Sequence, residues 1–395
     1  MLLLNNDDVR RSITMEECIE AIEEALEEEG RGWAMSDNRI DRHSPTDPNA
    51  AAEAVGMTPA AYRHMLLNDR MAADAHVEPE VFDVPWAHMF KTMYGTLHKR
   101  HVSAVRVSSE TMAMPVVNGK KRIAKLPTGP GGRYTSLVQL FDTRAGHLTC
   151  IMPDGYIQRN RVVATGAVGT KHLARRGAQT VGLLGTGMMA DGAIEATRLV
   201  MDVKQVKVFS PTAQHRREFV ARWREEGIGV VEAASEDEAM RDVDVILSCT
   251  NSRSTIIRAD HLKPGMHLNT LTFTDVDRTV VDKCDRVLAS WRMVDAGGWI
   301  CHEYELPATQ SAAKLFAADN EWLHKLLSSP ETPTLGSVTA GKTPGRTDDR
   351  QITCHMNTSS GLQFAALGAR IQANAKKMGI GREIPDDWFL QELHP

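Results

Sequence analysis

The residues best equipped for chemistry lie at 185–190, where Gly185-Thr186-Gly187-Met188-Met189-Ala190 follows the apolar run Thr180–Leu184 and opens a helical stretch, Asp191–Met201. A Gly-x-Gly-x-x-Ala pattern in that setting is a dinucleotide-binding turn. Gly185 permits the tight turn, Gly187 lets the backbone approach a pyrophosphate, and Ala190 allows the helix to pack close on the strand. The helix N-terminus offers N–H groups to the anion. The whole loop, with Thr186, Met188 and Met189, is assigned to the cofactor. The next strand, Val206–Phe209, ends in Ser210-Pro211-Thr212, with Arg216 and Arg217 following. An acidic residue there would hold the ribose 2′-hydroxyl and repel a phosphate. Its absence favours NADP(H) over NAD(H), with Ser210, Thr212 and Arg216 as contacts; the alternative is that Ser210 and Thr212 only start a helix. Thr250, beyond the candidate strand Val243–Ser248, is a further expected cofactor contact.

These residues need elements to hold them, and the chain has material for two domains. It has 395 residues, 42% hydrophobic and 25% charged, the balance of a core-forming globular protein. Its 46 basic and 51 acidic residues, net −5, lack the footprint of a nucleic-acid binder. No run is apolar for the roughly 20 residues a membrane span needs, and the start lacks a signal peptide's basic flank. A cytoplasmic protein with neither nucleic acid nor membrane as partner is expected. Six scattered cysteines without a Cys-x-x-Cys pair read as reduced thiols. No metal site is expected, since His98 and His101 have no acidic or thiol companion.

From Thr180 onward strands and helices alternate, through Val206–Phe209, Val230–Glu232, Val243–Ser248, His267–Leu271 and Arg286–Ala289, the signature of a doubly wound parallel sheet. Before it, Val102–Val107 and Tyr134–Phe141 read as antiparallel strands. A helix of small residues, Val162–Arg175, precedes the parallel sheet, and a final helix, Thr358–Met378, is expected to leave it after the Gly/Pro loop at Gly341–Gly345 and pack back on the first domain. The first helix has its stripe at Met15, Ile19, Ile22 and Leu26, a Thr14/Glu17 capping box, and glutamates left in solvent. Residues 44–85 have a different character: a polar loop at Ser44–Pro48, then short helices at Ala50–Ala54 and Ala60–Met71.

Arg161, Leu173-Ala174-Arg175, the glycine loop, and Leu335-Gly336-Ser337-Val338-Thr339-Ala340-Gly341-Lys342-Thr343-Pro344-Gly345-Arg346-Thr347 occur in an order that resembles the ornithine cyclodeaminase/μ-crystallin family. The resemblance runs from Leu2 to about Gly381, with 44–85 as an insertion. It implies an α/β fold in which a Rossmann domain, 161–349, is inserted in a discontinuous α+β substrate and dimerisation domain, 1–160 plus 350–395. It also implies a homodimer and hydride transfer at a carbon bearing nitrogen, next to a carboxylate. By the same resemblance Arg161 binds the substrate carboxylate and Arg39 is a second carboxylate arginine. A planar guanidinium suits that task.

Two positions depart from the family. Where members carry Gly-Val-Lys, with the lysine near the reacting nitrogen, this chain has Ala104-Val105-Arg106. Arginine stays protonated, so Arg106 can hold an anion but is a poor base. Where cyclodeaminases and related alanine dehydrogenases place an aspartate, the aligned residue is Thr274. Asp275 is then the candidate catalytic carboxylate, unless it and Asp277 cap the next helix. Lys125 is a candidate replacement lysine in the substrate site, and His355 a candidate acid. The resulting expectation is an NAD(P)H-dependent reductase or dehydrogenase acting on the C–N bond of a small carboxylate-bearing imine or amino acid. The alternatives are an ornithine cyclodeaminase-like lyase using bound NAD, and a catalytically decayed NADPH-dependent binding protein of μ-crystallin type.

Overall fold

The computed structural model describes all residues except 37–39, 70–76, 118–119, 122, 251, 253–254, 272–274, 293–320 and 394–395. Arg39 and Thr274 lie outside the described residues. Among those described, the strands gather into a nine-stranded mixed sheet, a seven-stranded parallel sheet and a short two-stranded ladder.

The parallel sheet has the order Gly229–Glu232, Gln205–Phe209, Thr180–Leu184, Val245–Ser248, His267–Thr270, Thr353–Met356, Arg286–Ala289. Its strands are short, and the central ones are buried on both faces, as helices packed on either side require. Strand order reverses between Thr180–Leu184 and Val245–Ser248, which opens a crevice at their carboxyl ends.

The expected return to the first domain at residue 350 is corrected here, because Thr353–Met356 pairs with both His267–Thr270 and Arg286–Ala289 inside the parallel sheet. Four consecutive buried residues have no readable period, and the Gly/Pro loop before them looks like a domain boundary. Arg346 in that loop is a clasp. It donates to the carbonyls of Leu173 (2.6 Å) and Met266 (3.0 Å) and to Thr353 Oγ1 (3.0 Å), tying a helix end to the sheet.

The mixed sheet is built on two long antiparallel strands, Trp86–Leu97 and Val102–Ala113, which pair along their full length. The alternation expected to end at Val107 continues to Ala113; Arg106, Ser108 and Glu110 face inward, so polar residues occupy the apolar phase of the pattern. Ser44-Pro45-Thr46 is likewise strand rather than loop. It finishes the strand Ile40–Thr46, which pairs along one side with Trp86–Leu97, where proline's missing N–H is tolerated. The helices Pro48–Ala54 and Pro59–Asn68 then build a small separate core of Tyr62, Met65, Leu66 and Val81 against Trp86 and Leu126.

The helix Met15–Gly30 packs between the helices Gly155–Leu173 and Leu362–Met378, so its acidic face is not simply solvated. Glu23 pairs with Lys171 (2.7 Å) and His172 (2.9 Å), Glu20 pairs with Arg370 (3.2 Å), and Glu28 is buried. The small residues of Gly155–Leu173 have a packing reason. A Cβ on Gly166 would lie 2.6 Å from Asn269 Nδ2, and one on Gly169 would collide with the His355 ring. This helix therefore rests directly on the parallel sheet. No described helix is long and apolar enough to cross a membrane.

Candidate functional site

The glycine loop lies in the crevice at the reversal of strand order. Gly185 has φ +108°, a left-handed conformation, and a Cβ there would collide with the carbonyl of Cys249. Its N–H donates to Phe209 O at 2.8 Å, locking the turn onto the neighbouring strand. Gly187 is the N-cap of the helix Met188–Thr197 and provides no side-chain cap, so the helix end is open to an anion. Ala190 is fully buried at the strand–helix contact. The loop fits a dinucleotide pyrophosphate. Gly185→Ala should accordingly raise the NAD(P)H dissociation constant at least tenfold and cost about 1–3 kcal/mol of stability. Cofactor fluorescence titration and thermal melting read the two effects.

At the end of the second strand, Thr212 occupies an N-cap without a capping bond from its side chain. Arg216 folds back over this segment: its guanidinium donates to Ser210 O, lies 5.4 Å from the Phe209 ring centre and comes within 3.5 Å of Glu232. A cation thus stands beside Ser210 and Thr212, with one carboxylate close to it.

On the other side of the crevice, Asp275 is fully buried and accepts from the hydroxyls of Ser248 and Thr250, the latter at 2.9 Å. Asp275 does not cap the following helix; Asp277 does, accepting from Val280 N at 3.2 Å. Thr250 thus serves Asp275, while the residue before it, Cys249, is the one whose carbonyl approaches Gly185. A small cavity between this region and the helix Gly155–Leu173 is lined by Val163, Gly166, Ala167, Ser248, Cys249 and Asn269, among others.

Arg161 stands two residues before Val163 and is buried. Ser359 Oγ (2.6 Å), Gln363 Oε1 (2.7 Å) and Gln158 Oε1 (2.9 Å) accept from its guanidinium, and these three carry no charge. Arg106 is equally buried, and the anion it holds is Asp154, with Nε 2.6 Å from Oδ2. Both guanidinium groups lie against Phe364, at 5.2 Å for Arg161 and 5.5 Å for Arg106. The fold therefore brings Arg161 and Arg106 together.

Lys125 belongs to a separate group further along the sheet. Its Nζ and that of Lys91 each lie 2.8 Å from Glu110, one on each carboxylate oxygen. Burial alone would raise the Glu110 carboxyl; Lys125 and Lys91 outweigh it and hold it down at about 2. His355 is not the acid that its position suggested. Burial pushes its imidazole down to about 3, and it is fully enclosed beside Ser290 (2.8 Å), so it is neutral at ordinary pH.

Three residue groups escaped the sequence reading. Gln158 carried a signal, since it stands three residues before Arg161 on one helix face. Asp154 resembled an ordinary N-cap, yet its side chain makes no capping bond and turns to Arg106. Ser359 and Gln363 are about 200 positions from Arg161 in the chain, and only the fold reveals them.

Comparison with known proteins matches residues 101–370 to a family described as ornithine cyclodeaminase/mu-crystallin. The alanine dehydrogenase of Archaeoglobus fulgidus is 26% identical over 254 residues, covering 63% of this chain and 73% of that protein. A delta(1)-pyrroline-2-carboxylate reductase of Bacillus cereus is 25% identical over 257 residues, covering 63% and 73%. Among solved structures, an archaeal alanine dehydrogenase dimer with bound NAD superposes with a TM-score of 0.67 at 20% identity, covering 98% of this chain and 99% of that one.

Proposed function

The chain belongs to the ornithine cyclodeaminase/mu-crystallin family, and from that premise we propose that it is an NAD(P)H-dependent oxidoreductase reducing the C=N bond of a small carboxylate-bearing imine to an amino acid. The observation that carries this reading is Arg161, a buried guanidinium oriented by Ser359, Gln363 and Gln158, on the helix that walls the dinucleotide crevice. The nicotinamide cofactor supplies the hydride when bound. Arg161 holds the substrate carboxylate by paired, charge-assisted hydrogen bonds, which fixes the adjacent carbon in one orientation. Asp275, kept in place by Ser248 and Thr250, provides negative charge for the nitrogen as it gains a proton. Arg39 is a second carboxylate contact in this reading. The relatives' names, alanine dehydrogenase and pyrroline-2-carboxylate reductase, describe reactions of this type.

NADPH is the preferred cofactor in this reading, because Arg216, Ser210 and Thr212 stand where a carboxylate would select NADH. The protein acts as a homodimer. The outer face of the mixed sheet leaves Ile40, Phe90 and Leu137 at 43%, 40% and 36% exposure, an apolar surface suited to a second copy. The archaeal alanine dehydrogenase of similar fold is itself described as a dimer.

Purified protein is to be assayed at 340 nm with NADPH and NADH against pyrroline-2-carboxylate and against 2-oxo acids with ammonia. Oxidation of the cofactor by at least one of these, with NADPH bound at least roughly tenfold tighter than NADH, is the expected result. Ammonia released from ornithine without net NADH formation would instead identify a lyase. Binding of an apolar ligand with no turnover would identify a binding protein.

A further inference from the structure

The inner face of the mixed sheet carries ionised residues where a sheet face turned to the core ordinarily carries apolar ones. Arg106, Ser108 and Glu110 alternate along one strand and share that face. In the ladder Lys91 stands opposite Ser108, Asp41 opposite Lys91, and Ser136 opposite Ser108. Lys125 enters the group from the strand Ala124–Leu126, which pairs with the far end of Val102–Ala113. The side chains of Lys91 and Glu110 are 10% and 6% exposed, whereas that of Lys125 is 48% exposed. Lys125 is thus the member of this charged group that reaches solvent. Replacing such buried ionic groups by apolar ones of similar volume is often neutral or stabilising, so their retention calls for a reason other than stability.

Position supplies the reason. At about 3.4 Å per residue, Glu110 lies about 14 Å along the strand from Arg106. The far end is closed by the insertion, whose Tyr62, Met65 and Leu66 pack with Trp86, Ala113 and Leu126. Tyr62 Oη donates to Pro127 O at 3.3 Å, two residues from Lys125. The helix Pro59–Asn68 therefore holds the strand that presents Lys125.

We propose that Lys125, backed by Glu110 and Lys91, forms a distal subsite for a second carboxylate, so that the substrate is an extended dicarboxylic imine with its first carboxylate at Arg161. The proposal rests on the oxidoreductase reading above and adds the substrate's length and terminal charge. On binding, Lys125 turns from Glu110 to the incoming carboxylate, while Lys91 and the Ser108 hydroxyl, each 2.8 Å from Glu110, keep that residue compensated.

The test has two arms, both on the full-length protein. In the binding arm, fluorescence of bound NADPH is titrated with dicarboxylates from succinate to pimelate and with monocarboxylates of matching length. Dicarboxylates should bind roughly tenfold tighter or better. Lys125→Met should abolish that ratio, Lys125→Arg should largely restore it, and Lys204→Met, at an exposed lysine paired with Asp202, should not change it. Equal binding of both series, no binding of either, or a ratio unmoved by Lys125→Met overturns the proposal.

In the kinetic arm, 2-oxo acids ending in methyl or carboxylate are compared with ammonia and NADPH. The kcat/KM ratio between the two endings should collapse roughly tenfold in Lys125→Met. Turnover without preference for the carboxylate ending removes the subsite and leaves the oxidoreductase reading standing. A dicarboxylate preference in binding, with no NADPH oxidised on any substrate, keeps the subsite and removes that reading.

Discussion

Arg161→Ala is expected to lower kcat/KM for a carboxylate-bearing imine on the order of 100- to 1,000-fold, about 3–4 kcal/mol of transition-state stabilisation. The loss should fall on KM and kcat together, because the arginine both binds the substrate and fixes the reacting carbon against the cofactor. Arg161→Lys should recover only part of it, since an ammonium keeps the charge but loses the planar fork. NADPH affinity should remain within a few-fold of the parent, because the glycine loop lies on a different element. Stopped-flow and steady-state kinetics, with a parallel cofactor titration, separate these effects. Unchanged kcat/KM in a folded Arg161→Ala protein would remove the carboxylate clamp from the site.

The parts of this site that were legible in the sequence are local ones. Gly185-Thr186-Gly187-Met188-Met189-Ala190 is readable because the turn, its glycine requirement and the helix start fall within six consecutive residues. The alternating strands and helices of the parallel sheet are readable for the same reason. What could not be read depends on pairing between distant segments. The strand Val102–Ala113 looked half its length because its next three inward positions after Ala104 are Arg106, Ser108 and Glu110. A pattern search takes polar residues for the solvent face, and here they face the interior. Lys91 became meaningful only once the register set it opposite Ser108. Asp275 was readable as a candidate, but its hold by Ser248 and Thr250 required the strand order.

Arg106 presents the sharper question, because it stands where the family resemblance leads one to expect a lysine, and its guanidinium is engaged with Asp154. If its work is to hold that aspartate at the start of the helix bearing Arg161, removing either partner should be costly. Asp154→Ala is expected to destabilise the protein by about 3–5 kcal/mol, because it strands a guanidinium that is only 5% exposed. Arg106→Met together with Asp154→Leu should recover most of that loss, since a buried ion pair can be exchanged for apolar packing at little net cost. Urea unfolding of the two single variants and the double variant gives the coupling energy. The same cycle, read in kcat/KM, divides structure from chemistry. A double variant that regains stability and turnover makes Arg106 a positioning residue for the Arg161 helix. One that regains stability but not turnover assigns Arg106 to the substrate, with Asp154 as the anion that a substrate carboxylate displaces.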